Sequence, residues 1–418
     1  MRNTSLGNRQ YYLDQVRVIT ILLVFLFHCN RFFDSDGWHA KNAISSPVSD
    51  FFSFFMVEWM MPMFFFISGA STWFALQSKT GGRFVMDRTK RILVPLIFGI
   101  FILSPHQVYF ERLTYGQFSG SFLAFLPHYF SGWYAFGGNF AWMGLHLWYL
   151  LLLFVFSLVA LPLFLLLKRK RARAASGLEG KELLSGSAGR VREEAGRVRE
   201  EAGRVNQDNG QPQKRHGWVR WGYLVAFILL LAIPGWVLSP DGKLGGRLWG
   251  GWSLLEHLVL FVMGYYAFSR PAIVRSWQDK RYALLIATVA LTALNSYLFL
   301  HHIRFPFGTG PYLLKILLRA IVCVSWILTI LGWAERKLNY TDSRLKYNNE
   351  AVLPFYILHQ PVILLIGYFV VQWQVPLALK YAMIALSSFI VIMLVYEYAV
   401  KRVAVLRFLF GIGKPVRK

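Results

Sequence analysis

Apolar residues in this chain gather into long runs, with the polar residues collected between them. A helix that crosses a bilayer needs about 20 predominantly apolar residues. Runs of that order occupy residues 13–33, 50–77, 92–109, 145–167, 219–238, 252–268, 282–300, 311–334, 351–371 and 377–400. The pattern predicts an all-α polytopic membrane protein with about ten transmembrane helices. Residues 1–167 form a first membrane part, 168–218 a polar loop, 219–402 a second membrane part and 403–418 a basic tail, within one integral domain.

Composition agrees. Of 418 residues, 56% are hydrophobic and 17% aromatic, against the roughly 45 to 50% apolar content of soluble domains. Residues 1–10 are polar and run into a spanning-length helix without a small-residue cleavage pattern, so no cleavable signal is expected. Cys29 and Cys323 both fall inside predicted helices, so neither a disulfide framework nor a metal cluster is expected.

The formal net charge is +24, and its distribution is a topology signal. With the amino terminus in the cytoplasm, that side receives Arg2, Arg9, Arg17, the 79–91 cluster, the 168–220 loop, 270–281, 336–346 and the tail. The opposite side holds only Arg31, Lys41, Arg112, Lys243, Arg247 and Arg304. This asymmetry is the positive-inside rule, and it predicts both termini in the cytoplasm of a membrane such as the bacterial inner membrane. The basic charge is thereby directed at anionic lipid headgroups, and nucleic acid is not an expected partner.

Between the two membrane parts, Ala-Gly-Arg-Val-Arg-Glu-Glu begins at Ala188 and repeats from Ala195. One valine per repeat falls short of the two apolar positions a coiled-coil heptad needs, and Gly189, Gly196 and Gly203 weaken a helix. The segment reads as a solvated tether. Residues 106–144 are instead crowded with aromatics, from Tyr109 and Tyr115 to Phe140 and Trp142. They suit an interfacial aromatic belt first, and also stacking on the sugar rings of an acceptor.

Candidate chemistry begins on the first helix. Arg17 and His28 are eleven residues apart, which at about 100° and 1.5 Å per residue puts them within roughly 20° of one face and about 16 Å apart. Ionisable groups in hydrocarbon normally face a protein interior or a wet cavity, so this stripe is expected to line a passage. Glu58 falls at a similar depth to His28 and is a candidate to orient its imidazole, or else a structural ion pair with another helix. Arg88 and Arg91 sit three apart at a helix start, a spacing that suits an anion site with Arg17 and also plain membrane anchoring. His146 and His359 are further candidates, each equally suited to being a satisfied interior histidine. Pro62 and Pro361 fall inside predicted helices, and the run 68–71 of small residues allows close helix approach.

Five motifs follow one another in order: Leu13-Asp14-x-x-Arg17 with His28; 61–69, Met-Pro-Met-Phe-Phe-Phe-Ile-Ser-Gly; Arg88-x-x-Arg91-Ile92-Leu93-x-Pro95; 145–150, Leu-His-Leu-Trp-Tyr-Leu; and 355–361, Phe-Tyr-Ile-Leu-His-Gln-Pro. In this order the chain resembles the membrane acyltransferase 3 family, and within it the periplasmic-glucan succinyltransferase branch. The resemblance implies transfer of an acyl group, succinyl or acetyl, from cytoplasmic acyl-CoA to a hydroxyl of an extracytoplasmic glycan. It assigns His28 as the essential histidine, Arg17 as its paired arginine, and Arg88 and Arg91 as the Arg-x-x-Arg element. No cofactor is implied beyond acyl-CoA as co-substrate, and the partners are that donor, the glycan acceptor and membrane lipids. The repeat-bearing loop departs from the family's pattern, and the short tail leaves no room for the extracytoplasmic hydrolase-like domain of some members. A transporter or flippase of an acylated or lipid-linked substrate is the competing reading, against which no repeat relates the two membrane parts.

Overall fold

The computed structural model describes residues 10–171, 215–242 and 246–413. Among them every regular element is helical. The helices are α1 (Tyr11–Asn30), α2 (Pro47–Val57), α3 (Met60–Ser78), α4 (Gly81–Thr114), α5 (Leu145–Val159) and α6 (Leu161–Arg171). After the loop come α7 (Arg215–Val237), α8 (Leu254–Phe268), α9 (Pro271–Asp279) and α10 (Arg281–Leu300). The chain ends with α11 (Gly310–Leu338), α12 (Ser343–Val370), α13 (Leu377–Val400) and α14 (Ala404–Leu409).

Seven helical stretches are long and apolar enough to cross a membrane, with α2 and α3 counted as one, and up to nine if each bent pair is a span. The bent pairs are α5 with α6, at 48°, and α8 with α9, at 95°. With α7, whose apolar run Gly222–Val237 is shorter, these stretches account for every span expected from the sequence. The protein is an integral, all-α membrane protein. Most of the expected tether, 168–218, lies outside the described residues, while α6 continues to Arg171 and α7 is already helical at Arg215.

Two packing devices position the site. The first is the crossing of α3 and α8. A Cβ on Gly69 would stand 1.9 Å from the carbonyl oxygen of Phe261, and one on Gly264 would stand 1.9 Å from that of Phe66. Small residues here let two backbones touch, the usual solution where lipid supplies no hydrophobic drive between helices. The second is proline geometry. A proline ring clashes with the carbonyl four residues back, and Pro62 sits four residues after Glu58, where α2 ends and α3 has not yet begun. The indole Nε1–H of Trp252 donates to Val57 O at 2.8 Å, satisfying a carbonyl at this break.

The two membrane parts interlock rather than stand side by side: α1 packs on α3, α11, α12 and α13. Phe25 of α1 meets Phe355 of α12 edge-on, with ring centroids 5.5 Å apart. Peripheral helices α10 and α13 leave large apolar side chains such as Ile286, Val289, Leu386 and Leu394 exposed, a surface suited to lipid.

Candidate functional site

Three histidines from three helices meet near the Asn30 end of α1. The rings of His28 and His359 are 4.9 Å apart, and those of His359 and His146 are 5.2 Å apart. Their hydrogen-bond partners fix where each proton sits. His359 Nδ1 lies 2.5 Å from the carbonyl oxygen of Tyr356, which can only accept, so Nδ1 carries the proton and Nε2 is a bare acceptor. That Nε2 faces Nδ1 of His28 at 3.3 Å, and His28 Nδ1 also meets Val24 O at 2.9 Å. The Nδ1–H of His28 is therefore shared between two acceptors. Its Nε2 is left with a free lone pair, the tautomer a general base needs.

His146 has a different role. Pro361 cannot bond the carbonyl of Ile357, four residues before it, and His146 Nε2–H donates to that oxygen at 3.1 Å. Its own backbone carbonyl accepts from the Tyr356 hydroxyl, while its buried Nδ1 has no hydrogen-bond partner. His106 likewise donates from Nε2 to Pro361 O at 3.2 Å. Of the two readings of His146, a site residue or a satisfied interior histidine, its Nε2 bond accounts for one ring nitrogen and leaves the other buried and unbonded.

Glu58 does not orient His28. Its Oε1 pairs with Arg319 Nε of α11 at 3.3 Å, and that guanidinium also donates to Gly251 O at 2.6 Å and stacks 4.0 Å from the Trp252 ring. Exit from the helix at the Pro62 break turns the Glu58 side chain toward α11, away from the histidines. The partners of the His28 Nδ1–H are the Val24 carbonyl and the His359 imidazole, not a carboxylate.

At the other end of α1, a cavity of about 380 Å³ opens among α1, α3, α4, α5 and α12. Arg17, Lys79, Arg88 and Arg91 all line it, so the arginines singled out by spacing do share one space. Arg17 donates to Asp14 at 3.0 Å and to Ser71 at 2.8 Å, and Arg88 donates to Thr72 at 2.9 Å with Phe84 beneath it. A π-helical turn, Thr89–Leu93, carries Arg91; such turns shift side chains out of the α-helical register and recur at functional sites.

The cavity lining extends to Tyr149 and Tyr356 and includes Ser68, but not His28. The two tyrosine rings are 5.8 Å apart, and Tyr149 bonds Ser68 at 2.7 Å. Tyr356 adjoins both the cationic cavity and the histidines, its ring 5.5 Å from that of His359 and 5.9 Å from that of His146, so the expected stripe from Arg17 to His28 is not lined by one continuous cavity. His28 lies half-buried beyond the cavity, beside Trp38. Sequence reasoning missed Tyr149 and Tyr356, though both stand inside quoted motifs.

Residues 115–144 fold as a small lobe on the His28 end of the bundle, with Phe125, Tyr129 and Ala141 packed on Val108 of α4. The Tyr134 hydroxyl donates to Glu111 Oε2 at 2.5 Å, and His39 bonds the same oxygen. Burial and the adjacent Glu111 carboxylate hold the Tyr134 phenol above its ordinary range, so it remains a donor. Burial pushes Tyr129 up to about 12, against hydrogen bonds to Ala141 and Ser104 that lower it. Among the described residues, no group of three or more His, Cys, Asp or Glu is arranged to hold a metal ion.

Comparison with known proteins places the chain in a family. The profile of the family described as "Acyltransferase domain" matches residues 10–178 and 213–397. Proteins named glucans biosynthesis protein C in Escherichia coli are similar along the whole length. The relative in strain K12 is 23% identical over 417 residues, covering 99% of this chain and 96% of its own. That of Escherichia coli O81 (strain ED1a) is 23% identical over 418 residues, with the same coverage. No solved structure matches the chain.

Proposed function

The chain belongs to the acyltransferase domain family and is a membrane acyltransferase, and from that premise we propose that it moves an acyl group from cytoplasmic acyl-CoA to a hydroxyl of a glycan across the membrane. The observation that carries this is the division of labour along α1. Arg17 lines a cationic cavity at one end, and His28 holds a bare Nε2 at the other. In this reading Arg17, Arg88 and Arg91 hold the phosphates of CoA, which cannot enter hydrocarbon, at the cytoplasmic edge. The thin pantetheine arm extends from the cavity past Tyr149 and Tyr356, whose side chains part to admit it.

At His28 the acceptor hydroxyl oxygen attacks the thioester carbonyl carbon. Its proton passes to His28 Nε2, a C–O bond forms and the C–S bond breaks. The proton then returns to the departing thiolate, giving the ester and free CoA. The imidazolium formed midway keeps its Nδ1–H on Val24 O and His359 Nε2, so it needs no reorientation. General-base assistance of this kind is worth about 10² to 10⁴ in rate. The relatives' printed name favours a glucan as the glycan, with succinyl or acetyl as the group transferred. Both termini lie in the cytoplasm of the bacterial inner membrane in this reading.

The test is direct. Purified protein is supplied with succinyl-CoA or acetyl-CoA and a glucan pool, and ester formation is followed by mass. Ester with intact protein and none with His28→Ala supports the reading; equal ester from both removes it.

A further inference from the structure

The lobe at the His28 end contains a second cavity, of about 520 Å³, that the chemistry above does not use. We infer that this cavity is an acceptor subsite that grips one sugar ring of an oligomeric glycan at a distance from the ring being acylated. The inference rests on the glycan reading of the previous subsection and adds the acceptor's class and its place of binding.

Three observations select a neutral, hydroxyl-rich ring. The first is charge: Glu111 and Arg112 both line the cavity and bond each other at 3.1 Å, so the site carries no net charge. The second is the state of Arg112. Its guanidinium is already engaged by Asn139 Oδ1 at 2.8 Å, Gln117 Oε1 at 2.6 Å and the carbonyl of Gly138 at 2.9 Å. A guanidinium tied down in this way braces the walls and is not held open for a phosphate or carboxylate, which argues against an anionic lipid headgroup. The third is the mix of surfaces. Phe118 and Tyr134 offer ring faces, Gln117 Nε2 offers a donor and His128 Nε2, whose Nδ1–H is held by Ala124 O, an acceptor, while the Asn139 carboxamide is spent on Arg112, His128 O and Ser131 Oγ and braces the wall. A small number of fixed polar groups among aromatic walls is the usual make-up of a specific small-molecule pocket.

Its position sets the length of the acceptor. Glu111 bonds His39, whose ring is 5.6 Å from that of Trp38, and Trp38 is 6.3 Å from His28. Two side chains therefore stand between the cavity and the base. A monosaccharide reaches one place or the other, whereas an oligosaccharide occupies both. Binding energy gained away from the reacting atoms holds the hydroxyl in place at the base, so truncated acceptors lose turnover as well as affinity.

The experiment uses the full chain in lipid nanodiscs with glucose oligosaccharides of increasing length. Gln117→Ala with His128→Ala changes two exposed residues of the lobe, and Phe118→Leu is a second variant that keeps the packing apolar. The expected result is a rise of about fivefold or more in acceptor KM with acyl-CoA KM unchanged, and a loss of the advantage of long over short acceptors. Unchanged acceptor KM together with an unchanged length preference overturns the inference. Should the wild type acylate none of these sugars, the catalytic reading fails separately and calorimetric titration of the same oligosaccharides decides the subsite. Binding by wild type that the variants lose sustains it. Absence of binding by wild type, or equal binding by the variants, overturns it.

Discussion

His359 Nε2 faces His28 Nδ1 at 3.3 Å, and the Tyr356 carbonyl bonded to His359 Nδ1 dictates which of the two imidazoles donates. A side chain of α12 thus joins Val24 O in holding the Nδ1–H of a residue on α1, 331 positions away in sequence. The arrangement follows the logic of a nucleophile-activating triad, with a neutral imidazole where a carboxylate is usual.

On the proposed mechanism His359 acts as a positioning residue, whose loss differs from that of the base. His28→Ala is expected to lower kcat by about 10² to 10⁴. His359→Ala leaves the base held by Val24 O alone and lowers kcat by a smaller factor, about tenfold. His359→Gln, which retains a side-chain acceptor for the Nδ1–H, recovers part of that loss. Ester formation at saturating donor and acceptor measures all three, and equal activity of the Ala and Gln variants argues against an orienting bond.

The cationic cavity predicts a donor-side effect. Replacing both Arg88 and Arg91 by Ala removes charge-assisted contacts worth about 1.5 to 3 kcal/mol each to a phosphate. Acyl-CoA KM is expected to rise at least tenfold, with acceptor KM unchanged. A KM that does not move leaves the two arginines as membrane anchors.

Glu58 predicts instability rather than inactivity. Removing one member of a buried ion pair costs about 3 to 5 kcal/mol because the other charge is stranded, and Arg319 is 6% exposed. Glu58→Ala is therefore expected to lower the unfolding temperature in detergent, while kcat per folded molecule stays within about twofold. A selective collapse of kcat with normal stability contradicts the assignment.

The α3–α8 crossing predicts a steep dependence on size. Gly264→Ala must push apart two backbones whose separation leaves 1.9 Å for the new carbon. Overpacking of this kind costs about 1 to 3 kcal/mol, and Gly264→Val more. Thermal unfolding followed by tryptophan emission ranks wild type above Ala above Val, and unchanged melting of the Ala variant denies the close contact.

Much of the frame was legible because lipid makes composition explicit. The last span is bounded at 377–400 by hydropathy and at Leu377–Val400 by coordinates. Arg17 stood out because a charge in an apolar run is costly, and Arg88 and Arg91 because they are three apart at a helix start; the coordinates bring the three to one cavity. The partner of Glu58 was not legible. Arg319 lies 261 residues further on, and no local periodicity encodes which distant helix a side chain meets. Nor was the histidine relay, whose protons are dictated by the backbone oxygens of Val24 and Tyr356. Pro62 was read as an interruption, and the break indeed falls four residues earlier, where its ring excludes a helical carbonyl.

The paired rings of Tyr149 and Tyr356 have a bearing on the cell as well as on the reaction. A transferase that drew its donor from one compartment and its acceptor from the other through a permanent channel would leak ions and discharge the gradient that energises the membrane. On the transfer proposed above, paired rings across that route would keep the bilayer insulating at rest, and the opening needed would be only the width of one slender chain, which fills it while it passes.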